Sequence, residues 1–396
     1  MQSVYKHAVC NIAATRAGNS FEGLFADRDP TLLTSDVLDI DNGVLKGSFR
    51  LIDEDYFTQE IDDAKINQRA WVTQERMLSR RIIHFAAEQV FWDCAELTAC
   101  ESLPHGTSVW PKSARTKMKV GTKQGSHLLT PSESVEQGLG QWTRIVNTYS
   151  ACGLTQIGDK VIAISGVGEH MRQNMKLDYC AGLWRSKMEM QLVWFVTRPQ
   201  PGETPRNELA PSWSWISVNG SVDMPQPDQY EGYDIIPLIS VIDVSTRREV
   251  YERRGVKIVG SMRIRCILNP VKVQGTTQDY HLEGEGMEHA RQVQVDAPDV
   301  IGAERLFFAP MFDLQTPRSL EDKWNLASEI RGILVRAVDG EPGTYTRCGH
   351  VFVSGIVRED TKAFEKTYEA LKSPDKNPGI PCEEYDASFG YTITIV

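Results

Sequence analysis

The chain has no run approaching the roughly 18 to 20 apolar residues that span a bilayer. It also has no CxxC pair among its eight cysteines, and no GxSxG turn. Each absence excludes a class. Without paired cysteines there is neither a disulfide framework nor a standard zinc site, so Cys10, Cys94, Cys100, Cys152, Cys180, Cys266, Cys348 and Cys382 read as scattered reduced thiols. Without the GxSxG elbow, and with no cysteine in a nucleophile context, hydrolase chemistry has no support. The amino terminus, MQSVYKHAVCNIAATRAG, lacks the apolar run of a secretion signal, which points to a cytoplasmic protein. Positive charge is short as well: 43 Lys and Arg stand against 53 Asp and Glu, a formal net charge of −10. Such a surface repels phosphate backbones and anionic lipid, so neither nucleic acid nor a membrane is an expected partner. The one local basic cluster, Arg76, Arg80 and Arg81, reads as a salt-bridged structural element.

What is present is an ordinary globular composition, 41% hydrophobic and 24% charged over 396 residues, which suits two packed domains or one large composite domain. The pattern predicts an α+β fold in which residues 1–210, a mixed α/β and helical region, pack on a C-terminal antiparallel β-sandwich or barrel over 211–396. The boundary is set near TRPQPGETPRNELAP, residues 197–211, where four prolines fall in fifteen residues. Within the first part, Trp71, Glu75 and Leu78 recur at helical spacing and predict a helix over 68–79. RRIIHFAA and QVFWDCA follow as a hairpin. Residues 101–132 read as a long surface loop anchored at Trp110, and 133–196 as helical. There Cys180, Trp184, Met188, Leu192 and Phe195 form an apolar stripe, read as core. Beyond 211 the period changes to two. YDIIPLISVIDVST, VKIVGSMRIRCILNP, RQVQVDAP, RLFFAPMF, RGILVRAV, YTRCGHVFVSGIV and YTITIV read as strands, interrupted by one helix near 360–372.

The chemical motifs are sparse. SGVGEHM, Ser165 to Met171, follows a strand-like VIAI but has two glycines and no phosphate-binding lysine, so it reads as a helix N-terminal turn rather than a nucleotide loop. His84, Cys94, Cys100 and His105 have the side chains of a zinc site at spacings that fit no finger. No metal and no cofactor is expected. Eight of the nine tryptophans lie between Trp71 and Trp215, and in APSWSW an extended segment would put Trp213 and Trp215 on one side with Ser212 and Ser214 on the other.

RAWVTQERMLSRRIIHFAAEQVFWDC, residues 69–94, resembles the internal RAW-x-x-QE-R-x-LS block of the fungal heterokaryon-incompatibility (HET) family. VYKHAVCNIAAT, DKVIAISGVGEHM, DYCAGLWR and LAPSWSWISVNGSV follow the family's order over roughly residues 4–220. The family's N-terminal signature block, with its Ser-x-x-Trp-Gly strand and aspartate pair, has no counterpart in this sequence. The resemblance implies an intracellular module of self/non-self recognition or cell-death signalling, working through a protein partner, that has lost its N-terminal half. The alternative is a cofactor-independent small-molecule biosynthetic enzyme of secondary metabolism, an isomerase, cyclase or pericyclase. Its catalytic groups would be Arg69, Glu75, Arg76 and His84, set among ligand-binding Trp71, Trp92, Trp213 and Trp215. Helical phase would put Arg69 and Arg76 on one side, able to hold an anion. Burial would raise the Glu75 carboxyl unless an arginine pairs with it.

Overall fold

In the computed structural model the described residues are 2–34, 37–53, 55–94, 96–106, 134–199, 204–251, 255–276, 279–284, 287, 290–315, 326–356 and 379–396. Trp110 and the helix expected near 360–372 lie outside them. The chain divides into two compact units, Met1–Met175 and Lys176–Val396, and the proline-rich stretch 197–211 falls inside the second. Helices and large sheets together make an α+β protein. Among the described residues no helix is long and apolar enough to cross a membrane, and the eight cysteines are free thiols.

The first unit opens with α1 (Gln2–His7), β1 (Asn11–Ala13) and a separate hairpin of β2 (Val37–Asp41) and β3 (Lys46–Arg50). Helix α2 (Ala70–Leu78) follows, then β4 (Arg81–Phe85), β5 (Val90–Cys94) and β6 (Thr98–Cys100). The last three strands are an antiparallel run, and β1 joins β4 in parallel, giving the order β1-β4-β5-β6. A parallel neighbour needs a crossover, and α2 lies in it. Helix α3 (Val135–Ser150) starts where Ser134 accepts the Gln137 amide at 3.1 Å, and it buries Leu139, Trp142, Ile145, Val146 and Tyr149 at helical spacing. Helix α4 (Lys160–Met175) runs through VIAI and SGVGEHM without a break. The expected strand and helix start there are therefore corrected: Gly166 and Gly168 sit buried inside one helix.

In the second unit the apolar stripe at 180–195 is not a helix. It consists of β7 (Tyr179–Cys180), β8 (Leu183–Trp184), the single turn α5 (Met188–Gln191) and β9 (Phe195–Pro199). Three left-handed residues break the helical path, Ala181 at φ 46°, Gly182 at φ 92° and Lys187 at φ 53°. The Gln191 side chain fixes the alternative by accepting the Trp184 amide at 2.8 Å and donating to the Trp184 carbonyl at 3.0 Å. Most of the stripe is still core, since Trp184, Met188 and Leu192 have no exposure and Cys180 is buried, while Phe195 is half-buried.

The remaining strands are β10 (Gly220–Asp223), which pairs with β9, then β11 (Asp234–Pro237), β12 (Ser240–Tyr251), β13 (Gly255–Cys266), β14 (Asn269–Thr276) and β15 (Asp279–Glu283). After them come β16 (Ala290–Val295), β17 (Leu306–Gln315), β18 (Leu326–Ala337), β19 (Thr344–Ile356), β20 (Glu384–Asp386) and β21 (Gly390–Ile395). All but β10 share one eleven-stranded sheet, whose main path is β12-β13-β21-β19-β18-β17-β14-β15. Each of the seven alternating runs supplies a strand of it. One pair departs from the antiparallel expectation: β21 inserts between β13 and β19 and runs parallel to β19.

Gly182 gives a direct check on this region. A Cβ there would stand 2.7 Å from the Trp215 indole nitrogen in addition to straining a φ of 92°, whereas Gly340, at φ 79°, has open space. Gly182→Ala is expected to cost about 2 kcal/mol or more, and Gly340→Ala less, in paired thermal melts. Equal losses would show that Trp215 does not pack on Gly182.

Candidate functional site

Four of the candidate residues, Arg69, Trp71, Glu75 and Arg76, lie on or beside α2. Arg69 is its N-cap, with extended backbone at φ −92° and ψ 128°, and so stands outside the helical phase that would align it with Arg76. Its segment is held by the connection between α3 and α4 instead, with the Ala70 amide donating to Gly153 O at 3.1 Å and the Gly153 amide to Gln68 O at 2.8 Å. Arg69 is exposed and Arg76 is buried. The two do not form one anion clamp. Arg76 Nη2 meets Asp62 Oδ1 at 2.9 Å, with both side chains nearly inaccessible. This is a structural ion pair, and its acid is Asp62 rather than Glu75. Arg80, of the same basic cluster, is exposed, and the Arg81 guanidinium donates to Val9 O at 3.4 Å.

Trp71 is half-buried and donates its indole N–H to Asp159 Oδ2 at 3.1 Å, which ties α2 to the start of α4. Glu75 is half-buried as well. Burial raises its carboxyl, while a hydrogen bond from Tyr5 and the Arg69 charge oppose the rise. The Tyr5 phenol is pushed up to about 12 by its own burial and by Glu75. Glu75 thus works as an anchor for α1 on α2. Lys160, buried at the first turn of α4, is brought down to about 7 by desolvation.

His84 and Trp92 sit on opposite faces of the small sheet. His84 is fully buried, its Nδ1 3.0 Å from Thr15 Oγ1 and its Nε2 3.9 Å from Asp93 Oδ2, and Thr98 donates to the other Asp93 oxygen at 3.1 Å. The order Thr-His-Asp resembles a nucleophilic relay, but Thr15 is itself buried and cannot meet a substrate. Trp92 is half-buried on the outer face, level with Ile83, Ala99 and, across the parallel pair, Ile12.

Trp213 and Trp215 belong to the second unit and have no exposure. APSWSW is a capped turn rather than an extended segment: Ser214 Oγ accepts the Ile216 amide at 3.1 Å and donates to Ala181 O at 2.5 Å. The Trp215 indole donates to Gly182 O at 2.8 Å, and the Trp213 carbonyl accepts from the Trp194 indole at 3.0 Å. Both side chains therefore serve the core of that unit.

A buried polar cluster that the sequence reading missed lies beside them. Arg347 has no exposure and meets Asp296 Oδ2 at 2.5 Å, donates to Leu192 O at 3.3 Å and to Trp194 O, and lies 3.4 Å from the Trp194 ring centre. Arg206 donates to the same Asp296 oxygen at 2.6 Å. His350, three positions on, is fully buried and stacks on Phe195 at 5.2 Å, with neither ring nitrogen bonded. Burial first, then the charges of Arg331 and Arg347, hold this imidazole well below its ordinary range. The available signal was a charged and a titratable residue inside the apolar run YTRCGHVFV. Elsewhere in this unit an open groove of about 650 Å³ is bordered by Asp299, Arg305, Arg336, Asp339 and Thr346. Its two arginines are paired, Arg305 with Asp339 at 2.9 Å and Arg336 with Asp299 at 3.1 Å. The groove contains none of the candidate tryptophans.

Comparison with known proteins gives one result. The family model of the heterokaryon incompatibility protein (HET) matches residues 1–75, so that segment is HET-like. No curated protein and no solved structure matches the chain.

Two outcomes test the site's electrostatics. Arg76→Met should cost about 3 kcal/mol because Asp62 is left buried and unpaired, and adding Asp62→Asn should return part of it in a denaturant titration. Simple additivity of the two losses would contradict the pair. His350 stays neutral in the folded chain while the unfolded chain binds a proton below pH 6.5, so stability should fall as the pH drops through that value. His350→Phe should flatten this slope, and an unchanged slope would place the titration elsewhere.

Proposed function

We propose that this chain is a fungal HET-type interaction module, active in self/non-self recognition or cell-death signalling inside the cell through a protein partner. The observation that carries the reading is where the apolar surface lies. Among the described residues, 12 of the 19 large apolar side chains that stay exposed fall within residues 1–75, the segment that the HET model matches. They include Phe21 at 96%, Val44 at 90% and Phe25 and Val9 at 80% exposure. Apolar surface marks protein–protein contact where such side chains adjoin, and their concentration in one segment is what supports this reading.

The polar candidates support the same reading. Arg76 is paired with Asp62 and His84 with Thr15 and Asp93, while Trp213 and Trp215 are enclosed. In this reading the strands carrying the family's Ser-x-x-Trp-Gly signature form no part of the 396 residues, and recognition works through the segment that is present. Expressed in a filamentous fungus, the chain is expected to cause growth arrest or cell death on fusion with an incompatible strain. Phe21→Asp with Val44→Asp should abolish the response at equal protein level. Undisturbed growth with the unaltered chain, or full activity of the double variant, would overturn the proposal.

A further inference from the structure

The border strand of the first unit combines three features that point to a particular partner. The first is geometric. β1 lies at the end of the order β1-β4-β5-β6 and, among the described residues, has one neighbour, β4. A strand with one neighbour leaves alternate backbone amides and carbonyls facing away from the sheet, where another extended chain can pair with them.

The second is apolar exposure along that border. Val9 is 80% and Ile12 60% exposed, and Ile12 stands level with half-buried Ile83 and Trp92 on the outer face. Proteins commonly protect a border strand with a charge on the strand itself or with proline. β1, Asn-Ile-Ala, carries neither and is limited instead by its length of three residues.

The third is the sign of the surrounding charge. Residues 1–21 contain no Asp or Glu, and neither do residues 76–87, in a chain that has 53 of them. These two acid-free stretches are the ones that pair, with Asn11 opposite Ile82 in a parallel register. The basic residues preceding β1, Lys6 and His7, and those opening β4, Arg80 and Arg81, therefore gather at the strand-start end of the sheet. Among the described residues no ion pair to a carboxylate engages Arg80 or Arg81, and the one bond of the Arg81 guanidinium goes to Val9 O. The neighbouring acids are engaged elsewhere, Glu22 by the Gly18 amide and Asn19, and Glu75 by Tyr5. A net charge of −10 overall thus coexists with a positive border at β1.

We infer that the free edge of β1 is a docking site for an extended, acidic segment of a partner protein. The segment would add to the sheet as a further strand, with an apolar side chain beside Ile12 and acidic ones past the strand-start end of β1, toward Arg80 and Arg81. Main-chain pairing supplies affinity in such a contact, and the charges supply selectivity and steering. This deepens the interaction reading of residues 1–75 and rests on it.

The experiment uses the full chain and a fluorescein-labelled decapeptide with alternating Val and Thr in its middle and Glu pairs at both ends, followed by anisotropy. Saturable binding is expected, weakened about tenfold or more by Arg80→Glu with Arg81→Glu and weakened by added salt. Both arginines are exposed, so the variant should fold, which circular dichroism checks. Ile12→Lys is a second variant expected to block binding. Hydrogen exchange at residues 9–13 should slow in the complex. Three results would overturn the inference: equal binding of a proline-interrupted peptide of the same charge, which means plain ion attraction; binding of phosphatidylserine vesicles or DNA without binding of the peptide; or peptide binding indifferent to the charge reversal. If the peptide fails while the cell-death response persists, the edge assignment falls and the interaction reading stands. If the peptide binds and no response occurs in cells, the edge assignment stands without it.

Discussion

One fully buried guanidinium organises the second unit. Arg347 projects from β19 at the fourth residue of the strand and reaches the carbonyls of Leu192 and Trp194, the carboxylate of Asp296 and the face of the Trp194 indole, while its backbone amide is held by Ser212 Oγ at 2.9 Å. Ser212 in turn binds the carbonyl of Val396, the last residue. One side chain and its neighbour thereby gather the entry to β9, the end of β16, the tryptophan turn and the C-terminus. Burial brings this arginine down to about 10, and Asp296 opposes the fall. A charge taken out of water is tolerable when it is paired and its donors are satisfied. With Asp296 shared between Arg347 and Arg206, it is.

This arrangement explains the fate of the candidate tryptophans. Trp194, Trp213 and Trp215 are the apolar packing around the cluster, each bonded through an indole N–H or a carbonyl. The first unit follows a different rule. Its interior is fixed by Arg76 with Asp62 and by His84 with Thr15 and Asp93, but its leading 75 residues keep an unusual amount of apolar surface in water. The β2–β3 hairpin is exposed on both faces, and an isolated two-stranded hairpin is marginal by itself. The two units thus differ in how much apolar surface they leave in water.

The seven β runs of the second half were legible either from period-two alternation, as in β13, or, where both faces are buried as in β17, from short apolar runs between turn residues. The helix over 68–79 and its following hairpin were legible for the same local reason. The 180–195 stripe was not, because strand–turn–strand segments with a short turn also bring residues 180, 184, 188 and 192 into one core. Left-handed Ala181 and Lys187 leave no mark in the residue type, and only Gly182 offered a hint. SGVGEHM misled through its glycines, which break helices by propensity but are carried here by packing. The partners of the candidate residues, Asp62 for Arg76 and Asp93 for His84, depend on tertiary contacts that spacing does not encode. Arg347 and His350 did carry a signal, polar residues within an apolar strand, whose partners at Asp296 and Phe195 are distant in sequence.

The central claim is that a closed, charge-centred core coexists with an open strand edge in the HET-like segment. Native-state hydrogen exchange on the full chain tests it most directly. The account predicts near-global protection for the amides of β17, β18 and β19 around Arg347, and exchange faster by several orders of magnitude for the outward amides of β1 and for the β2–β3 hairpin. Equal protection of β1 in the isolated protein would mean that its edge is already covered in solution, and the account would be wrong.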